Sequence, residues 1–381
     1  MERRASSGHV ELLSRLVAID SVNPDLVPGG AGEAEIARFV AGWLEAAGLE
    51  VTIEEPIQGR PSVVGVARGR GGGRSLLLDA HLDTVGVEGM NQPHQPRVEG
   101  RRLYGRGAYD MKSGLAAIML AGAGAAGAGL LGDVIVACVA DEEVASLGTE
   151  AVLRKWHADA AIVTEPTELD VCIAHKGFVW VDVETRGRAA HGSRPELGID
   201  AIARMGPVLT GLEALDQRLR AHPTHPLLNS GSVHASLISG GQELSSYPAR
   251  CRLLLERRTI PGETRETVAR EIESILTPEA SYQLGFSREP FEVGAEEPIV
   301  ATVHQHARRR LGREPRLYGE TFWADTGLIH AAGIPTLLFG PGGAGAHAIE
   351  EWADLDQLAA CAEILVAVAS EFCGEPAGSL S

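Results

Sequence analysis

Four short apolar runs, each broken off at an acid or leading to a histidine, constrain this chain more than any other feature. Ser75-Leu76-Leu77-Leu78 leads into Asp79-Ala80-His81-Leu82-Asp83, and Val134-Ile135-Val136-Ala137-Cys138-Val139-Ala140 leads into Asp141-Glu142-Glu143. Ala160-Ala161-Ile162-Val163 precedes Thr164-Glu165-Pro166, and Pro335-Thr336-Leu337-Leu338-Phe339 precedes a glycine loop that ends at His347. Runs of roughly four to seven apolar residues between polar or turn residues read as strands buried on both faces, as in sheets covered by helices. Open sheets of that kind bind ligands beyond the carboxyl ends of their strands. The fold class is therefore α/β, with a central, mostly parallel sheet, and four strand ends deliver imidazoles and carboxylates to one rim.

At 381 residues the chain exceeds what a single core fills, roughly 250–300 residues, so two domains are expected. Helical spacing over 10–19 and 33–47, followed by strand patterns at 50–53 and 62–67, is the texture of an α/β layer. After Glu165 the texture changes: 178–185 alternates like a half-exposed strand, followed by a helix at 198–219 and strands at 233–239 and 251–256. A helix at 265–276 and a strand at 281–286 complete a strand-helix-strand-strand-helix-strand order, which suggests a compact α+β sandwich with one solvated sheet face. We read 176–290 as this inserted lid or dimerisation domain, and 1–175 with 291–381 as the domain that carries the rim.

Asp and Glu outnumber Lys and Arg by 51 to 34, a net charge of −17, which disfavours nucleic acid and anionic membranes as partners. The five cysteines, Cys138, Cys172, Cys251, Cys361 and Cys373, are odd in number and show no paired spacing. Free thiols in a reducing compartment are expected, and the opening residues lack the continuous apolar stretch of a secretory signal, so the expected location is cytoplasmic. The uncharged stretch 115–131 is short for a membrane span and carries four glycines, so a buried helix against the sheet is expected there.

Zinc takes nitrogen and oxygen ligands, and a catalytic site keeps one position for water. Two metals need a bridging carboxylate and terminal ligands on each ion. His81 and His347 can supply one imidazole apiece, and Asp110 suits the bridge because Gly105, Gly107 and Gly114 let the backbone approach closely. Asp83, two residues after His81 on the same side of an extended chain, can accept the ring proton that does not face metal. The side chains of Glu142 and Glu143 diverge in extended backbone, so one can bind metal while the other faces the bound water.

Seven stretches carry a resemblance that spans nearly the whole chain: DAHLDTV at 79–85, LYGRGAYDMKSG at 103–114, ADEEVASLGT at 140–149, TEPT at 164–167, AAHGSRPELGIDA at 189–201, ERRTIPGET at 256–264, and GIPTLLFGPGG with His347 at 333–347. In them the chain is similar to the dinuclear zinc family of acetylornithine deacetylase, succinyl-diaminopimelate desuccinylase, aminoacylase and glutamate carboxypeptidase. ERRTIPGET resembles the acetylornithine deacetylase branch in particular. The resemblance implies His81 and Glu165 on one zinc, Glu143 and His347 on the other, Asp110 bridging, Asp83 behind His81, and Glu142 as general base. It implies two zinc ions per chain, with cobalt or manganese as substitutes. It further implies that His191, on the inserted domain, polarises the scissile carbonyl, commonly across a homodimer interface, and that Arg258 binds a substrate carboxylate. Ser245 stands where many relatives place a substrate-contacting asparagine. The loop Gly340-Pro341-Gly342-Gly343 lacks the Lys-Ser/Thr ending of a phosphate loop and reads as a pocket lining. The implied activity is hydrolysis of the amide of a small N-acyl amino acid; the alternatives are a carboxypeptidase or dipeptidase, and a non-catalytic protein retaining the fold.

Overall fold

The computed structural model describes residues 2–376; Met1, where the reading of the N-terminus and of the outer domain begins, and residues 377–381, where the latter ends, lie outside them. The chain divides into two compact units, one running to Ile173 and taking in Val293–Tyr318 and the chain from Ala324, the other comprising Ala174–Glu292 and Gly319–Trp323. The short return at Gly319–Trp323 has no counterpart in the sequence reading. It is fastened to the second unit by backbone and aromatic contacts: Lys176 N donates to Glu320 O at 3.2 Å, and Trp323 Nε1 donates to Glu289 O at 3.1 Å.

The sheet of the first unit runs Glu50–Glu54, Ser62–Ala67, Val134–Val139, Leu76–His81, Ala160–Val163, Thr336–Leu338, Val171–His175 in space. Its four central strands, from Val134–Val139 to Thr336–Leu338, are parallel, and antiparallel strands flank them on each side. Every residue of Ser62–Ala67, Leu76–His81, Val134–Val139 and Ala160–Val163 is buried, which explains runs of Val, Ile, Leu and Ala without polar alternation. The register pairs His81 with Val139, Asp79 with Val163 and Leu338 with Val163, so the chain leaves all four strands at one edge.

The helix Ser113–Ala125 lies against this sheet, and Gly122 permits the approach, since a Cβ there would meet Val136 Cγ2 at 2.5 Å. The helix ends short of 131 because the chain turns at Gly127 and Gly129, both with φ near +72°. Among the described residues no helix is long and apolar enough to cross a membrane.

In the second unit, Ser232–Gly240, Arg250–Thr259, Gly177–Arg186 and Ala280–Arg288 form an antiparallel sheet in that order. Val179, Val181 and Val183 pack with Met205, Val208 and Leu212 of the helix Ala201–Ala221 and with Val268 and Ile272 of Arg265–Ile275. Asp200 and Thr264 cap these two helices, accepting from Ala203 N at 2.9 Å and Thr267 N at 3.4 Å. The alternation along Gly177–Arg186 thus has one face on the helices, with Trp180 of the other face 46% exposed.

Candidate metal centre

At the carboxyl edge of the first unit's sheet, two sets of ligand atoms share one aspartate. His81, Asp110 and Glu165 form the first set and Asp110, Glu143 and His347 the second, each offering one atom per residue within 4.8 Å of the others. His81 Nε2 lies 3.2 Å from Asp110 Oδ1 and 3.7 Å from Glu165 Oε1. His347 Nε2 lies 3.3 Å from both Asp110 Oδ2 and Glu143 Oε2. The two oxygens of Asp110 therefore face different imidazoles, the arrangement of a bridge.

Each side chain is held by its local backbone. His81 ends its strand, and Glu165 follows the end of Ala160–Val163, where glycines make room: a Cβ on Gly114 would sit 2.2 Å from Thr164 O, and one on Gly340 would sit 2.3 Å from Glu165 O. Asp110 lies in the turn Ala108–Lys112 with non-helical backbone (φ −112°, ψ 96°), and the Asp110–Met111 peptide is cis. The buried Glu351 carboxylate fixes that turn, accepting from Gly107 N at 2.9 Å, Tyr109 N at 2.9 Å, Asp110 N at 3.0 Å and Arg106 Nη1 at 2.6 Å. Glu142 and Glu143 follow Asp141, whose φ of +71° opens a turn closed by Ala145 N to Asp141 O at 3.1 Å.

The electrostatics show how strongly burial and neighbouring charge act on this cluster. Burial and then Glu165 push the Glu142 carboxyl well above its ordinary value, and burial and then Asp110 do the same to Glu165. Burial opposes charge on His81, but Asp110 and Glu165 outweigh it and lift the imidazole well up. Hydrogen bonds to Asp110 and Glu143 push His347 up to about 10. Asp110, despite its burial, is held below the usual carboxylate range by His347 and His81. Without a cation the cluster must hold protons to balance its carboxylates, and Glu143 Oε1 is buried without a hydrogen-bond partner. A mixed imidazole and carboxylate donor set of this kind fits a divalent metal ion.

Asp83 differs in detail from the reading of a carboxylate on the His81 ring. His81 Nδ1 lies 2.9 Å from the backbone oxygen of Asp83 and 3.6 Å from its carboxylate. That carboxylate is taken by other donors: Glu142 N at 3.1 Å, Glu143 N at 3.3 Å and Asn23 Nδ2 at 2.8 Å. Gly340 exchanges hydrogen bonds with Thr167, its N–H to Oγ1 at 3.0 Å and its carbonyl from the hydroxyl at 3.2 Å, which holds the loop beside Glu165.

His191, Ser245 and Arg258 belong to the second unit. The loops of the first two are joined, Gly192 N donating to Ser245 O at 2.6 Å, and His191 Nδ1 lies 2.8 Å from Ser193 Oγ. Arg258 Nε donates to Glu256 at 2.6 Å, with the guanidinium 5.5 Å from the Phe178 ring centre. Its neighbour Arg257 is fully buried between Glu263 and Glu271 and serves the fold. Sequence reading missed Glu351, Asn23, Arg60 and Asp141, which shape the centre from behind. Two signals were available: Asp141 stands inside ADEEVASLGT, and Glu351 lies four residues after His347 in an acidic pair bounded by apolar residues.

The chain is 27% identical over 384 residues to the N-formyl-4-amino-5-aminomethyl-2-methylpyrimidine deformylase of Bacillus subtilis (strain 168), covering 89% of each chain. It is 29% identical over 384 residues to the acetylornithine deacetylase of Myxococcus xanthus, covering 95% of this chain and 97% of the relative. Its fold is that of the aminopeptidase PepT from Bacillus cereus ATCC 10987, with a TM-score of 0.79, 18% identity, and coverage of 96% of this chain and 98% of that one. Residues 77–371, the stretch that holds every member of the two ligand sets, match the peptidase family M20/M25/M40, and the chain belongs to that family of metal-dependent hydrolases of C–N bonds.

Proposed function

We propose that this protein is a two-metal amidohydrolase that removes the acyl group from a small N-acylated amino acid or a related amide. The observation that carries the reading is the pair of ligand sets joined at Asp110, with the unengaged Glu142 beside them. In this reading His81 and Glu165 would hold one ion, Glu143 and His347 the other, and Asp110 would contribute to both. Two zinc ions, or cobalt or manganese in their place, would supply the positive charge that acidifies water and polarises a carbonyl. Glu142 accepts a proton from the attacking water and passes it to the leaving amine. His191 donates to the carbonyl oxygen as charge develops there. Arg258, whose Nε donates to Glu256, is assigned the substrate carboxylate, and Ser245 and Gly340 are each assigned a substrate contact.

The names of the deformylase and the deacetylase support acyl removal over peptide cleavage. A carboxypeptidase or dipeptidase using the same Arg258 is the second reading, and a non-catalytic role fits poorly with an intact set of ligands and base. We further propose a cytoplasmic location, supported by five buried cysteines that form no disulfide, and a homodimer through the second unit. Leu237 (67% exposed) and Ile238 (54%) on the edge strand Ser232–Gly240 support the latter.

Elemental analysis of zinc-prepared protein should give about two ions per chain. A panel of N-acetyl, N-succinyl and N-formyl amino acids and dipeptides, run with zinc- and cobalt-loaded protein, should give turnover on an N-acyl member. Absence of metal under saturating zinc, or turnover confined to dipeptides, sinks the reading.

A further inference from the structure

Behind the metal centre lies a buried polar network that none of the proposed chemistry uses. Asn23 is fully buried, and all of its side-chain hydrogen-bonding groups are engaged. Nδ2 donates to Asp83 Oδ2 at 2.8 Å and to Asp141 Oδ1 at 3.0 Å, while Oδ1 accepts from Asp25 N at 2.9 Å. Its backbone is stitched beside the end of the His81 strand, Asn23 N donating to Thr84 O at 2.9 Å and Thr84 N to Ser21 O at 3.0 Å. Arg60 supports the far side: Nη2 donates to Asp141 Oδ1 at 2.7 Å, and Nε and Nη2 grip the buried Glu33 at 2.7 and 2.8 Å.

The network ends on the two glutamates of the centre. Asp83 receives the N–H of Glu142 on one oxygen and that of Glu143 on the other, and Asn23 joins it on the second. Asp83 lies two residues beyond His81, and Asp141 immediately precedes Glu142. Asn23 therefore connects the segment carrying a ligand of the first set to the segment carrying a ligand of the second. It also supplies the N–H groups that let two buried aspartates, Asp83 and Asp141, sit side by side. A carboxylate pair without such donors would repel and turn apart.

We propose that Asn23, buttressed by Arg60 through Asp141, is a positioning residue that sets the spacing between the two ligand sets and the aim of Glu142. This rests on the reading of the centre as a two-metal site. Outer partners of metal ligands typically change metal affinity or activity by roughly 10–100-fold when removed. The two ions should respond unequally, since Asp110 still holds the sets together while Glu143 loses its registration to His81.

The test is cobalt titration of the parent and of Asn23→Ala, followed by visible absorption, with kinetics on the best substrate of the panel. For Asn23→Ala the expected result is one cobalt bound at least about 10-fold more weakly, an altered band shape, and kcat reduced about 10-fold with KM within about 2-fold. A lower melting temperature with cobalt affinities and bands like those of the parent overturns the proposal, because a purely structural role predicts that outcome. Should Asn23→Ala fail to fold, Arg60→Lys, which keeps the charge but loses the two-pronged grip, is read by the same cobalt titration against the same criteria. A parent that binds no cobalt overturns the two-metal reading itself, whereas a cobalt-binding parent indistinguishable from its variant overturns this inference alone.

Discussion

Glu142 and Glu143 carry the same functional group on adjacent residues, and their surroundings separate them. Glu143 Oε2 faces His347 at 3.3 Å, within the second ligand set, whereas Glu142 belongs to neither set and is pushed up chiefly by burial, then by Glu165. Glu142→Gln should therefore lower turnover by at least ~10²-fold while both ions remain by elemental analysis; loss of metal instead would reverse the two assignments. His347 gives a pH signature in the metal-free protein. Its pKa, pushed up to about 10 by Asp110 and Glu143, exceeds the ~6.5 expected of an unfolded histidine, so the folded state binds the extra proton. The stabilisation is complete below about 6.5 and disappears as pH rises through about 10. The melting-temperature gap between metal-free parent and His347→Ala should close across that window. Zinc needs the neutral ring, so uptake near neutral pH should release protons, detectable by calorimetry in buffers of different ionisation enthalpy.

At the scale of elements, the centre depends on backbone segments packed closer than side chains allow. Gly340→Ala would place a Cβ 2.3 Å from Glu165 O, so the loop or Glu165 must move. We expect about 1–3 kcal/mol of destabilisation in denaturant melts, together with weaker binding of the ion assigned to His81 and Glu165; unchanged metal affinity would show that the loop yields instead. The strands that carry ligands were legible because burial on both faces leaves uninterrupted apolar runs, and Ala160–Val163 begins and ends where its run does. The strands Arg97–Glu99, Arg102–Tyr104, Gly343–Ala344 and Trp352–Asp354 were not, being two or three residues long and paired across the chain. Asp110 was legible as a candidate ligand, but the irregular turn that presents it was not, because Glu351 shapes that turn from far along the chain. Asn23 and Arg60 left no trace in any motif, since their partners meet only in the folded structure.

On the scale of the whole molecule, the roles proposed for the reaction are assigned to residues of both units. The ligand sets and Glu142 belong to the first unit, whereas His191, Ser245 and Arg258 belong to the second. A tetrahedral oxyanion needs a donor in place as charge develops, and one such donor is worth roughly 2.7–4 kcal/mol in comparable sites. His191→Ala should therefore reduce kcat by about 10²–10³-fold, with both ions and the melting temperature unchanged. The His191 loop is tied to the Ser245 loop within its own unit, so the substitution leaves the ligand network of the first unit untouched. Whether the histidine serves its own chain or a partner is decided by mixing. Subunit exchange between inactive Glu142→Ala and His191→Ala proteins regenerates a site with native Glu142 and native His191 only if the two groups come from different chains. Recovered turnover in verified heterodimers establishes the shared site; verified heterodimers that stay inactive assign the histidine's role to its own chain.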